Sequence, residues 1–291
     1  MDASKLVAGN REEVIQNIKQ AVTEQRFNDK VETNDPVMTM QQQEKVVNHY
    51  LHYYENWRYK VKNVAARSML RVASKWIMRT TKVVGSENIQ AIKSGAIVTS
   101  NHFSPIENTV VSKAMRVSGK SRLFIVSEAT NLEMKGFVGF VMNFYDTIPM
   151  STSTQYMARP FPNMLADILE KKHFILIYPE QEMWFNYRKP RPPKRGAYYY
   201  AARFNVPIIS CFVEIVDTHQ QVSVDFNEVQ FIMHILKPIY PDATKNVHEN
   251  SLAMMQQDYD QKCAAYERAY GKKLTYEFTP GDIAGWIPQE A

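Results

Sequence analysis

His102 and Glu107 stand five residues apart in the stretch Asn101-His102-Phe103-Ser104-Pro105-Ile106-Glu107. A histidine exchanges a proton near neutral pH, and a carboxylate bonded to one ring nitrogen decides which nitrogen stays free. The pair therefore reads as an oriented general base. A second acidic group sits in Tyr178-Pro179-Glu180-Gln181-Glu182. Glu180 and Glu182 suit hydrogen bonds to substrate hydroxyls, or else cap the next segment or face solvent. Arg188-Lys189-Pro190-Arg191-Pro192-Pro193-Lys194-Arg195 follows. Its prolines keep it extended, and its basic side chains read as a clamp for an anion or a phosphate.

The elements that position these groups are legible around them. Ala96-Ile97-Val98-Thr99 is a short β-branched run that reads as a buried strand. A helix is expected from Ser104-Pro105, which places His102 in a strand-to-helix turn, where α/β proteins bind ligands. The same residues carry a plainer reading. Ser104-x-x-Glu107 is a capping box and Pro105 suits the first helical position, so Glu107 can serve as a cap and His102 as a turn residue. Phe174–Tyr178 reads as a second buried strand, delivering Glu180 to its carboxyl end. If the two strands are close in one sheet, Glu180 and His102 open onto the same face.

Along the chain, strand-like and helix-like pieces alternate from Val83 onward. Strands are expected at 96–99, 122–126, 174–178, 207–213 and 221–232, with 147–150 a short strand or turn. Helices are expected at 105–117, 160–172, 197–204 and 251–270, with 131–143 a helix or buried loop. This alternation indicates an α/β fold, a central mixed, mostly parallel sheet flanked by helices. It is preceded by an N-terminal helical amphipathic region. Three parts are expected: a polar extension over 1–45 with a helix at 11–25, a basic amphipathic helical region over 46–84, and an α/β domain over 85–291.

The 291 residues are 45% hydrophobic, enough for a sizeable core. No apolar run approaches the ~18 residues that cross a bilayer. The N-terminal residues lack the basic-then-apolar pattern of a secretory signal, and Cys211 and Cys263 have no zinc or disulfide spacing. These features suggest a reducing, cytoplasmic setting. Net charge is +5, but residues 56–84 hold eight basic side chains and no acid, so the remainder is net acidic. Within that segment Arg67, Arg71, Lys75 and Arg79 recur every four residues, beside Val64, Met69, Val72 and Trp76. A cationic stripe with apolar neighbours and a tryptophan suits a helix lying in the interface of an anionic membrane. A solvated helix face is the ordinary alternative. No nucleic-acid motif accompanies the stripe, so nucleic acid is not expected as a partner.

Taken together, these motifs resemble the lysophosphatidate acyltransferase-like superfamily of glycerolipid acyltransferases. Asn101-His102 with Glu107 resembles its first motif. Tyr178-Pro179-Glu180 resembles the start of the third, Lys194-Arg195-Gly196-Ala197 the basic segment after it, and Val206-Pro207-Ile208-Ile209 the closing motif. Order and spacing agree over about residues 83–240. The carboxylate is glutamate where the glycerolipid branch has aspartate, as in the lipid A-type members. The family's Glu-Gly-Thr-Arg is here Glu180-Gln181-Glu182-Met183, and 143–150 lacks the arginine of the second motif.

The resemblance implies O-acyl transfer from an acyl-coenzyme A or acyl carrier protein thioester to a hydroxyl of a lysophospholipid-like acceptor. That work needs no other cofactor and is done at the inner face of the cell membrane by a peripheral protein. His102 would be the base and Glu107 its orienting acid, with helix-start amides after His102 as oxyanion donors. Asn101, Ser104, Glu180, Arg188, Arg191 and Lys194 would contact substrate; either Arg188, Arg191 or Lys194 replaces the family's phosphate-holding arginines, or the acceptor is not a simple lysophosphatidate. Arg67, Arg71, Lys75, Trp76 and Arg79 would meet the membrane. A serine hydrolase using Ser104 is disfavoured because the Gly-x-Ser-x-Gly elbow is absent. A metal at His102 and Glu107 is disfavoured because five-residue spacing diverges on a helix. A non-catalytic lipid-binding relative is the alternative from another class.

Overall fold

Short β-branched runs separated by amphipathic helices fold into one sheet with helices on both faces. The computed structural model describes residues 10–33, 37–77, 79–119 and 122–288. Among them the strands are β1 (Lys82–Val84), β2 (Ala96–Thr99), β3 (Leu123–Glu128), β4 (Thr147–Met150), β5 (Phe174–Leu176), β6 (Ile208–Gln221) and β7 (Asn227–Ile235). Their order across the sheet is β1-β7-β6-β2-β5-β3-β4. From β6 to β4 every neighbour is parallel, while β7 returns antiparallel to β6. The sheet is therefore mixed and mostly parallel, as the alternation implies.

β2 lies at the middle, with Val98 in register with Leu176 of β5 on one side and Ile209 of β6 on the other. All four of its residues are buried, which is why it carries no polar alternation. Ala96 and Val98 pack into a core shared with α4 (Glu107–Val117). Ile97 faces a second core built with α7 (Pro160–Glu170) and α8 (Gly196–Arg203). The remaining helices are α1 (Arg11–Thr23), α2 (Met40–Tyr54), α3 (Trp57–Ile77), α5 (Gly136–Phe144), α6 (Thr154–Ala158) and α9 (Val247–Tyr270).

One expected strand is interrupted. The stretch 221–232 contains a turn, because Val222 and Ser223 amides both donate to the Phe226 carbonyl and the Ser223 hydroxyl accepts from the Phe226 amide. β6 consequently runs on past Val213 to Gln221 and forms a hairpin with β7. Its outer half is polar because it extends beyond the core, and so it reads as loop in sequence.

α1 begins on an Asn10 cap and buries Val14, Ile15, Ile18, Ala21 and Val22 along one face. That face meets Trp184, Phe185 and Tyr187. Burial of such side chains is worth ~1.5–3 kcal/mol each, enough to hold the helix against the segment after β5. No described helix is long and apolar enough to cross a membrane.

Candidate active site

β2 ends at Thr99, and the next residues are fixed before the chain reaches α4. The Asn101 side chain donates to the Val213 carbonyl at 3.1 Å and accepts from the Val213 amide at 2.8 Å. It is 1% exposed. Asn101 therefore ties the turn to β6 and is not open to substrate, which corrects the sequence expectation.

His102 Nδ1 pairs with the Glu107 carboxylate. A carboxylate only accepts, so the ring proton sits on Nδ1 and Nε2 keeps its lone pair. The histidine side chain is 22% exposed and the glutamate 1%, so the base reaches the surface and its orienting acid does not. The second Glu107 oxygen accepts the Phe103 amide at 2.6 Å and the Ser104 amide at 3.0 Å. Glu107 braces the turn and orients the base at once.

The capping box forms only by half. α4 starts at Glu107 rather than at Pro105, its N-cap is Ile106, and no side chain caps it. The Ser104 hydroxyl accepts from the Ile106 amide at 3.4 Å and is buried, so Ser104 is a turn residue rather than a substrate contact. The amides of Phe103, Ser104, Ile106 and Glu107 are all used internally. They are unavailable as the expected oxyanion donors.

Two residues that sequence reasoning passed over complete the base. The Tyr178 ring stacks on His102, with centroids 4.2 Å apart and planes 11° from parallel. Its hydroxyl donates to Asn108 Oδ1 at 2.7 Å, one residue into α4 from Glu107. Burial pushes the phenol well above its usual range, so it stays a donor at any working pH. The signal was the aromatic position ahead of Pro179-Glu180, which fixes the ring against the imidazole.

Contrary to the sequence expectation of substrate contact, Glu180 and Arg191 enclose the His102 peptide. Glu180 Oε2 accepts from the His102 amide at 3.1 Å and from Arg191 Nε at 3.1 Å, while Oε1 accepts from the Arg191 amide at 2.9 Å. Arg191 Nη2 donates to the His102 carbonyl at 3.3 Å and to the Glu182 carbonyl. Its Nη1 donates to the Phe27 carbonyl at 2.8 Å. The Trp184 amide also donates to the His102 carbonyl, at 3.0 Å. Gln181 has φ of +67°, the left-handed conformation glycine favours, and occupies the position of the family's glycine.

Arg188 is corrected likewise. It is buried, donates to the Ile215 carbonyl at 2.9 Å and pairs with Asp217 at 2.5 Å. Of the three cations expected to hold an acceptor phosphate, Lys194 alone is exposed, and its amide anchors the loop to the Pro179 carbonyl at 2.7 Å.

On α3, Arg67 turns inward to Asp146 at 3.3 Å, beside Arg122 on the same carboxylate. It is not part of an outward stripe, contrary to the four-residue spacing. Arg71, Lys75 and Arg79 are exposed. Trp57, Val61, Val64 and Val72 are exposed too, at intervals that place them on one face with Lys75. The Trp76 side chain lies outside the described residues.

Neither cysteine suits covalent catalysis. Burial pushes the Cys211 thiol up to about 12 and the Cys263 thiol up to about 11, so neither is a thiolate near neutral pH. Among the described residues no group of histidine, cysteine and carboxylate side chains could hold a metal ion.

Residues 80–214 match the family model described as Acyltransferase. This segment, a little under half of the chain, is similar to the acyltransferase family. The matched segment holds His102, Glu107, Tyr178 and Glu180, while α1, α2, α3 and α9 lie outside it. The crystal structure of the 1-acyl-sn-glycerophosphate (LPA) acyltransferase PlsC from Thermotoga maritima is similar in fold, with a TM-score of 0.50 at 12% identity. The match covers 91% of this chain and 98% of that one. The α/β fold is thus similar to that of this enzyme. No curated protein matches the sequence.

Proposed function

We propose that this protein moves a fatty acyl group from a coenzyme A or acyl carrier protein thioester to the hydroxyl of a lysophospholipid-like acceptor. One observation carries the reading: a partly exposed imidazole whose Nδ1 is held by a buried carboxylate, leaving Nε2 toward solvent. Nε2 takes the acceptor hydroxyl proton as the oxygen attacks the thioester carbonyl carbon. Glu107 stabilises the imidazolium that forms. Collapse of the tetrahedral intermediate breaks the carbon–sulfur bond, and the departing sulfur takes the proton from Nε2. Ester and free thiol leave, and the histidine is restored. The acceptor supplies the attacking oxygen, so no protein nucleophile is required.

The exposed face of α3 supports work at a membrane surface. Val61, Val64 and Val72 are each more than half exposed on a helix that also presents Arg71 and Lys75. Such a helix suits the headgroup boundary of an anionic leaflet, here the inner face of the cell membrane. With Arg188 and Arg191 engaged inside the protein, Lys194 is the remaining candidate of the three for an acceptor phosphate.

The test offers lysophosphatidate, other lysophospholipids and a glycolipid as acceptors, with acyl-coenzyme A and acyl carrier protein donors, and identifies products by mass spectrometry. Formation of one acylated lysophospholipid supports the reading. Acylation of the glycolipid alone removes the lysophospholipid acceptor, and no product from any pair favours a non-catalytic relative.

A further inference from the structure

α2, α3 and α5 enclose a cleft of about 390 Å³ that the acyl-transfer chemistry does not use. This is within the range of small-ligand sites. It lies on the edge of the sheet at β4, with β5 and β3 between β4 and β2. Three strand spacings separate it from β2, which leads into the His102 turn, roughly 14 Å. Its wall residues Tyr50, Tyr53, Tyr59 and Phe144 belong to the core on the opposite sheet face from α4.

The lining is aromatic and cationic. Lys62 Nζ stands 4.9 Å from the centre of the Phe144 ring and 5.5 Å from that of Tyr53. Lys45 and His49, one helical turn apart on α2, line the same cleft, and His49 stacks on Tyr53 at 5.9 Å. Neither Lys45 nor Lys62 forms an ion pair among the described residues; one carboxylate, Glu133, shares the lining. Ammonium groups without acidic partners, backed by ring faces, suit an oxyanion attached to an apolar body.

What borders the cleft names that body. α5 is Gly136-Phe137-Val138-Gly139-Phe140-Val141-Met142-Asn143-Phe144, with no charge, and its Phe137 is 56% exposed. α3 packs beside it through the side that buries Tyr59, Asn63 and Ala66, while Trp57 and Val61 are exposed on the other side of α3. A phosphate seated among Lys45, Lys62 and His49 would stand at headgroup level while the exposed Phe137 and Val138 of α5 enter the acyl region.

We propose that this cleft binds the headgroup of one anionic phospholipid of the membrane, separate from the acyl-transfer centre. The proposal rests on the membrane reading of α3 for its occupant and is independent of turnover. The bound lipid fixes how α3 and α5 lie on the leaflet, and with them the approach of His102 to its acceptor.

The experiment titrates the full chain by calorimetry with a short-chain phosphatidylglycerol below its micellar concentration, where no surface exists, and with inorganic phosphate separately. Vesicle co-sedimentation with phosphatidylcholine, with and without phosphatidylglycerol, is run alongside. Wild type and His102→Ala are expected to bind the short-chain lipid alike, at one saturable site. Lys45→Ala with Lys62→Ala, shown folded by an unchanged thermal melt, loses that site and weakens binding to anionic vesicles by about 30-fold, the factor expected of two headgroup lysines. Arg71→Ala with Lys75→Ala weakens vesicle binding but keeps the short-chain site. Equal losses in both double variants, or no saturable binding, overturn the proposal. Inorganic phosphate binding as tightly as the lipid makes this a free-phosphate site and overturns it too. Because His102→Ala retains the lipid site, failure of the acyl-transfer reading leaves this result intact.

Discussion

Glu180 and Arg191 hold opposite ends of one residue, His102. The carboxylate accepts its amide at 3.1 Å, the guanidinium donates to its carbonyl at 3.3 Å, and the two pair with each other at 3.0 Å. Both are almost fully buried, at 4% and 1% side-chain exposure. A catalytic base needs its reacting nitrogen placed to within a fraction of an ångström. Here the backbone under that base is fixed from both sides, and Tyr178 fixes the ring.

Glu180→Gln keeps the shape but removes the charge opposite a buried guanidinium. Breaking one side of such a pair costs ~3–5 kcal/mol. The melting temperature is expected to fall, and the rate constant for turnover to fall more than acceptor affinity. Steady-state kinetics beside a thermal melt check both. Unchanged turnover would remove the positioning role.

Glu107→Gln leaves an acceptor for the Phe103 and Ser104 amides but no longer compels the proton onto Nδ1 or stabilises the imidazolium. Turnover is expected to drop on the order of 10³–10⁴-fold, the scale for removing an orienting carboxylate. Retention of more than a tenth of wild-type turnover would reduce Glu107 to a brace of the turn.

Beneath β2, Asp258 accepts from Thr99 at 2.9 Å, from Tyr198 at 2.5 Å and from Lys262 at 2.8 Å, all buried. Lys262→Met strands the carboxylate, with an expected loss of ~3–5 kcal/mol. Urea unfolding measures it. A loss below about 1 kcal/mol would mean that the charge is not buried as described.

The segment after α1 touches the site directly. Asn28 donates to the Glu180 and Pro192 carbonyls at 3.2 and 3.0 Å, and Trp184 Nε1 donates to the Asp29 carbonyl at 2.9 Å. Ile18→Ala empties a fully buried position on α1, costing ~2–5 kcal/mol. Turnover is expected to fall with it, because the strap that bonds the His102 carbonyl packs on that helix. Full activity at lowered stability would uncouple α1 from the site.

Thiol reagents are expected to leave Cys211 unmodified in the folded protein at neutral pH, since burial holds its thiol up at about 12. Mass spectrometry after alkylation, native against unfolded, checks this. Rapid native labelling of Cys211 would contradict its burial.

The strands that matter most were legible because parallel central strands are short, apolar and bounded by turn residues: Ala96–Thr99 appears with the bounds read from sequence. The His102–Glu107 pairing was legible because its five-residue reach is local. The partners of Arg188, Arg191 and Asn101 were not. A basic, proline-rich run looks the same whether its side chains meet substrate or lie inside. Arg188 pairs with Asp217 on the far part of β6, Arg191 with Glu180 across the loop, and Asn101 with Val213. Such pairings depend on which strands become neighbours. The inward turn of Arg67 toward Asp146 is of the same kind, because helical spacing tells which residues share a face and not what that face meets.

The central claim is that His102 Nε2 takes the proton of an acceptor alcohol. Release of free thiol from an acyl thioester, with and without a lysolipid acceptor, tests it most directly in wild type and His102→Ala. Acceptor-dependent release in wild type is expected to vanish in a variant that melts at the same temperature. Wild-type release in that variant would contradict the account.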